Sequence, residues 1–451
     1  MQGQTEMYLL SAKVTRICSL LKNNVITVED YARSPLHRID QRNDIVKAWA
    51  YPVHTAGLRQ ARALDRVPPA QRGPLHGLAI AIKDSINTKV GWFKSPSPSS
   101  CVLTCKTTTP ELTWLNSGSQ TTNPRDVNRT PGGSSTGSAA AVADVQVPLS
   151  IGTQTGGSLI CPASYTSIFA MKPTYNAISL EGQKTCSISL DTPDTHPHKI
   201  IPLKETRIAF METPMWDQAG PGTITAMNTT FSILHKHGIK IDHVSFPPEY
   251  RNSKILTQNF TTIYETDAQS SFGQEYNIDK TKLHPEIRAL VETTSHTPQE
   301  YSQALKYFVH IRKILTSSIF SQYDAILALS VQMKPLSVCT IWEVRYSISS
   351  GQCVYLIFPP YNHPPPHPHP HLITSTNSKP HTLQPAKINP HARPHYPRTS
   401  QQYAIGLSLI AAPFCDQNLL YLAKCIAEPL MSEGGWEIDV PVYREREGWV
   451  D

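Results

Sequence analysis

TPGGSSTGSAAAVADVQVPLSIGTQTGGSLICPASYTSIFAMKP, residues 130–173, is the stretch on which the reading of this chain turns. It holds two glycine- and serine-rich turns. The first, Gly132 to Ser138, opens into Ala139–Ala143, a run of strong helix formers with Ser138 at the cap position. Val147 to Ile151 then reads as a short buried strand, and the second turn, Gly152 to Ser158, follows it. Turn, helix, strand and turn in so few residues bring backbone N–H groups and serine hydroxyls into one neighbourhood. That is what an oxyanion site beside a serine nucleophile needs.

Three plainer readings compete. A Ser/Gly-rich turn is usually only a loop. A phosphate cradle would require Gly-Lys-Ser/Thr after the turn, and neither turn has it. Gly133-Ser134-Ser135-Thr136-Gly137 fits the G-x-S-x-G pattern of a nucleophile elbow, but that motif needs a strand directly before it. Asn123-Pro124-Arg125-Asp126-Val127-Asn128-Arg129-Thr130-Pro131 cannot be a central strand.

The segments TPGGSS (130–135), SAAAVAD (138–144), VPLSIGTQTGGS (147–158), PAS (162–164) and KPT (172–174), with GPLHGLAIAIKDSI (73–86) upstream, resemble the amidase-signature family of serine hydrolases, in particular its fungal amidases. ITVEDYARSPLHRIDQRNDIVKAWAY (26–51) and GLSLIAAPFCDQNLLYLAKCIAE (406–428) are family-like as well. The resemblance implies an α/β fold with a mixed, largely parallel twisted sheet flanked by helices on both faces. It also implies a Ser–Ser–Lys triad: Ser158 as nucleophile, Ser134 as bridging serine and Lys83 as base. The N–H groups of Thr155, Gly156, Gly157 and Ser158 would receive the oxyanion, and a cis peptide is expected between Gly133 and Ser134. The implied activity is hydrolysis of a carboxamide C–N bond through an acyl-enzyme, on a small-molecule amide, with no metal or cofactor. Two alternatives follow from the same family: a catalytically impaired relative, and the glutaminase subunit of an amidotransferase. On physical grounds, a serine hydroxyl needs a neighbouring base, and a lysine serves as one only when burial favours its neutral amine. Lys83, at the end of the apolar run Leu78–Ile82, meets that requirement.

Composition narrows the rest. The 451 residues, 39% hydrophobic, suffice for one large α/β domain. A net charge of +6, scattered along the chain, gives no nucleic-acid footprint. The nine cysteines show no paired metal spacing, and the N-terminus is too polar for a secretory leader, so reduced thiols and a cytoplasmic location are expected. No apolar run approaches membrane-spanning length.

Periodicity predicts helices over 8–22, 27–40 and 54–65, with Thr27–Asp30 as a cap region. It further predicts a strand–helix–strand unit (Ile208–Phe210, 222–237, Ile239–Phe246), a helix over 298–318 and a buried strand from Asp324 to Ser330. One domain over 1–451 is expected, with three atypical segments. Residues 93–112 look shortened, as though a helix and a strand were missing, and 185–205 look shortened as well. Residues 331–402 are rich in proline and histidine and read as a disordered insert; metal binding or a polyproline ligand is the functional reading of His363, His367, His369 and His371. Three departures lie near the motif: Thr136 where positive φ would strain it, Gln154 for the more widespread Asp, and Cys161 where the family usually has Arg.

Overall fold

The computed structural model of the protein describes residues 14–52, 54–87, 102–114, 119–174, 177, 201–293, 296–330, 352–358 and 405–433. Its N-terminal part starts with helix α1 (Val14–Lys22) and helix α2 (Val28–Val46). Thr27 caps α2 by accepting from the Asp30 N–H at 2.9 Å, as the cap signal predicts. Strand β1 (Trp49–Pro52), helix α3 (His54–Asp65), strand β2 (Ala79–Lys83) and strand β3 (Val102–Thr107) follow. Helix α4 (Thr136–Ala143), strand β4 (Leu149–Ile151), helix α5 (Ile160–Thr166) and strand β5 (Ala170–Lys172) then carry the two serine-rich turns.

A strand–helix–strand unit opens the second part: β6 (Arg207–Glu212), α6 (Pro221–Lys236) and β7 (Lys240–Ser245), with β6 and β7 parallel as expected of a crossover. Helices α7 (Ser253–Asp279), α8 (Pro285–Thr293) and α9 (Pro298–Ile314) precede β8 (Ala325–Leu329). Strands β9 (Gln352–Phe358) and β10 (Ile405–Ala411) and helix α10 (Asp416–Glu433) complete the described chain.

The described strands form a mixed sheet structure in two hydrogen-bonded sections. One is four-stranded in the order β1-β3-β2-β4, the other six-stranded in the order β5-β9-β10-β8-β6-β7. In the first, β2 runs parallel to both its neighbours. In the second, β8, β6 and β7 are parallel, while β9 and β10 pair antiparallel. Helices cover the sheets. Ile17, Leu21, Val28, Tyr31 and Leu64 pack on Leu78 and Ala79 of the small sheet. Leu419, Leu422, Ile426 and Leu430 of α10 pack with α6 residues on one face of the large sheet. Ile311, Leu315 and Ile319 pack on its other face.

The structure differs from three expectations. The strand thought missing between Lys83 and Ser134 is present: β3 pairs parallel with the lysine strand, Lys83 opposite Thr107. The Ser/Pro run ahead of it obscures its β-branched and small residues in the sequence. Within the segment read as a disordered insert, Gln352–Phe358 forms β9 between β5 and β10. The helix after the first turn starts at Thr136, so Ser135 and not Ser138 is its cap residue. Ser135 makes no capping bond, because its hydroxyl is engaged with Thr153. Thr136 has helical φ/ψ and carries no strain. The histidine cluster at 363–371 and segment 185–200 lie outside the described residues.

Candidate active site

Strand β2 delivers Lys83 from the floor of the small sheet. Alternate residues Ala79, Ala81 and Lys83 are buried, and Lys83 is 0% exposed, so its whole stem is packed. Its Nζ lies 2.7 Å from Ser134 Oγ and 2.9 Å from Thr153 Oγ1. One residue from each of the two serine-rich turns therefore converges on one amine. Sequence reading named the first and missed Thr153, which lies in the second turn with nothing in its spacing to single it out.

The turns are held against each other by backbone and hydroxyl bonds. Ser135 N–H donates to the carbonyl of Ser158 at 3.0 Å. Ser135 Oγ donates to Thr153 O at 3.1 Å and accepts from Thr153 N–H at 3.2 Å. Ser158, 6% exposed, is thus fixed beside the residue that follows Ser134. The Gly133–Ser134 peptide is cis. Gly132, at φ +79°, presses on Pro162, where a Cβ would stand 2.9 Å from Pro162 Cα. Only glycine takes that backbone at that distance.

Past Thr153, the chain runs through Gln154, Thr155, Gly156 and Gly157 to Ser158. Gln154 Oε1 accepts from the N–H groups of Leu159 and Ile160 at 2.9 and 3.1 Å, so its side chain closes the loop and caps α5. This is the job a carboxylate could do at that position, and glutamine does it without a charge. Gly156 lies under Phe260 of α7, whose Cζ would be 2.9 Å from an added Cβ, whereas an added Cβ on Gly157 meets nothing within 4 Å. The loop is packed on its Gly156 side and open at Gly157. Cys161 Sγ lies against Gly132, 3.1 Å from the ideal Cβ position there. Among the described residues no group of three His, Cys, Asp or Glu side chains could hold a metal ion. Among them too, no helix is long and apolar enough to cross a membrane.

The arrangement can move a proton from a serine hydroxyl to a buried amine, next to a loop whose backbone is free of side chains at two successive glycines. The Amidase family model matches residues 98–193, which include both turns. The A subunit of glutamyl-tRNA(Gln) amidotransferase from Natranaerobius thermophilus is 34% identical, the match covering 67% of this chain and 67% of that relative. The corresponding protein from Streptomyces avermitilis is 30% identical over 49% of this chain and 52% of the relative. The chain thus spans between about half and two thirds of the length of these relatives. Among solved structures, one of fatty acid amide hydrolase has a TM-score of 0.74 at 16% identity, covering 94% of this chain and 86% of that one. A crystal structure of an amidase has a TM-score of 0.68 at 19% identity, covering 94% and 100%. These structural matches speak for the fold, and none of the comparisons favours the fungal subtype. Shared fold, a family match across the serine-bearing turns and one-third identity over two thirds of both chains place this protein in the amidase-signature family.

Proposed function

We propose that the chain hydrolyses a carboxamide C–N bond through a serine acyl-enzyme on Ser158. The observation that carries this reading is the buried Lys83 Nζ 2.7 Å from Ser134 Oγ, with Ser134's turn bonded to the Ser158 backbone. Ser158 Oγ attacks the amide carbon; its proton passes to Ser134, whose own proton goes to the neutral Lys83 amine. The N–H groups of Thr155, Gly156, Gly157 and Ser158 are the proposed donors to the oxyanion; losing one such donor costs about 3 kcal/mol of transition-state stabilisation. As the tetrahedral adduct collapses, the C–N bond breaks and the leaving nitrogen takes the proton back through Ser134. Water then attacks the ester, giving its proton through Ser134 to Lys83. As this adduct collapses the acyl C–O bond to Ser158 breaks, Ser158 Oγ takes the proton back by the same relay, and the acid is freed.

Within that chemistry a glutaminase role is better supported than a free-standing amidase. The curated relatives with 30–34% identity are A subunits of amidotransferases, whereas the amidase structures are under 20% identical. The acyl donor would then be the side-chain carboxamide of glutamine, and the ammonia would pass to an acceptor on a partner protein.

Fluorophosphonate labelling with peptide mapping tests the chemistry. Label is expected on Ser158 and absent in Ser158→Ala. A wild-type protein that melts cooperatively and takes no label is the impaired relative, and overturns the proposal. Ammonia release from glutamine, compared with simple primary amides, separates the two substrate classes.

A further inference from the structure

β3 and the residues after it, the segment that looks damaged in sequence, make bonds to both halves of the proposed proton relay. Lys106 is the neighbour of Ile82 across the β2–β3 ladder. Its Nζ does not face solvent alone; it donates to the carbonyls of Asp84 at 3.0 Å and of Lys83 at 3.5 Å, and to that of Ile86. The Asp84 carboxylate stands 3.8 Å away. Three carbonyl oxygens of the turn that follows Lys83 therefore converge on one ammonium. The same turn is closed by Ile86 N–H on Lys83 O and tied back to β3 by Asp84 N–H on Thr107 O, both at 3.0 Å.

Beyond Lys106 the strand reaches the other partner. Thr107 Oγ1 is 2.7 Å from Ser138 Oγ of α4. Gly137 N–H donates to Thr108 O at 3.1 Å, and an added Cβ on Gly137 would stand 2.6 Å from Thr108 N, so α4 starts flush against this segment. Thr109 Oγ1 donates to the carbonyl of Ser134 at 2.8 Å.

We infer that Lys106 and Thr109 are positioning residues for the proposed hydrolysis: Lys106 clamps the turn that carries Lys83, and Thr109 clamps the backbone of Ser134, so that β3 sets the distance between base and bridging serine. The inference rests on the reading of Lys83 and Ser134 as a proton relay. Burial pushes the Lys106 ammonium below its ordinary value while Asp84 pulls it back up, which fits an ammonium that has exchanged water for peptide carbonyls. Both residues bond to backbone carbonyls, Lys106 at the turn after Lys83 and Thr109 at Ser134. Their effect is on the geometry that the chemistry requires, where a displacement of about 1 Å can cost on the order of 100-fold in rate.

The test uses the full chain with Lys106→Met, Lys106→Arg, Lys106→Ala and Thr109→Val. Lys106→Met and Thr109→Val are expected to slow labelling of Ser158 at least about tenfold and to lower kcat for ammonia release with KM nearly unchanged. Lys106→Arg should recover part of the rate, and methylammonium should partly rescue Lys106→Ala by occupying the carbonyl cradle. Amide hydrogen exchange at Asp84 and Ile86 should quicken in Lys106→Met. Wild-type labelling rates in Lys106→Met and Thr109→Val, at unchanged melting temperature, overturn the inference. If the wild-type chain takes no label, the hydrolytic reading fails; the clamp is then decided by exchange alone, and unchanged protection at Asp84 and Ile86 overturns it.

Discussion

Thr153 shows what one hydroxyl does inside a closed site. It is 5% exposed, its Oγ1 holds Lys83 Nζ, and its backbone is gripped on both sides by Ser135 Oγ. Thr153→Val keeps the shape and removes the polar contact to the amine. A net hydrogen bond is worth about 1 kcal/mol, so labelling of Ser158 is expected to slow by roughly five- to tenfold while thermal stability changes little; equal rates would remove Thr153 from the site. Asp267, on α7, is a different single-residue case. Burial raises its carboxyl above the ordinary value, against the hydrogen bond it accepts from Tyr301 Oη at 2.9 Å. Between its ordinary and its raised value the folded chain holds more protons than the unfolded one. The stability this group contributes at low pH is therefore lost as pH rises through the raised value. Asp267→Asn keeps an acceptor for Tyr301 and removes the charge, so its stability relative to wild type should improve as pH goes from 4 to 7 in urea melts. The meeting of Lys83 with Ser134 was legible because both motifs are local runs of sequence, and Ser158 is proposed on the same ground. Thr153, Lys106 and Thr109 were not, because what makes them matter is a partner in another element, and no period or spacing marks such a partner.

α4, lying between the two serine-rich turns, is short, so something other than its own helix propensity must hold it. Its end is pinned through Asp144, which is 2% exposed and accepts from Arg42 Nη2 at 2.9 Å and from Gln146 Nε2 at 2.9 Å. Arg38 donates to the Asp144 carbonyl at 3.1 Å, and Trp49 Nε1 donates to Gln146. The pair of arginines on α2, four residues apart, therefore docks that helix on the C-terminal end of α4. Asp144→Ala leaves two buried guanidinium groups without their carboxylate. A loss of about 3–5 kcal/mol is expected in chemical denaturation, together with loss of Ser158 labelling, because α4 carries Ser134's turn. The sequence announced α2 and α4 plainly by their periodicity and alanine content. It did not announce the dock between them, since buried Arg and Asp read as surface residues until the fold removes the solvent around them. The long helix α7 was also missed: its apolar face is interrupted by Asn259, Thr262 and Thr266, and its buried residues pack against α8 (Ala268 and Phe272 with Ile287 and Leu290) and share a core cluster with Ile311 of α9 (Leu256).

At the scale of the whole molecule, α5, the helix after the second serine-rich turn, lies against β10 of the large sheet. Gly406 in β10 has Ser164 of α5 above it: an added Cβ would stand 2.4 Å from Ser164 Oγ, 2.7 Å from Ser164 Cβ and 2.9 Å from Ser330 Oγ. Gly406→Ala must push α5, the helix that follows the proposed nucleophile, off the large sheet. Overpacking of this kind costs roughly 1–3 kcal/mol. Melting temperature and labelling rate are expected to fall together, and a fall in one alone would mean that α5 and the large sheet are not coupled through this contact. The strand–helix–strand unit from Arg207 to Ser245 could be read from sequence because its elements are consecutive. The pairing of β5 with β9 and of β9 with β10 could not, since it joins segments far apart in the chain and the residues around β9 carry a composition that conceals it. β10 also has a consequence for how the protein is made. The last of the described strands to leave the ribosome sits in the middle of its sheet, between β9 and β8. Translation therefore delivers every proposed site residue long before the scaffold beneath α5 can close, and the apolar faces of β6 and β8 have to wait for it. Nascent chains stalled before Ile405 should bind holdase chaperones that release chains stalled far enough beyond Glu433 for α10 to clear the exit tunnel. Premature stop codons before β10 should give insoluble protein, even though every residue of the proposed triad has been made.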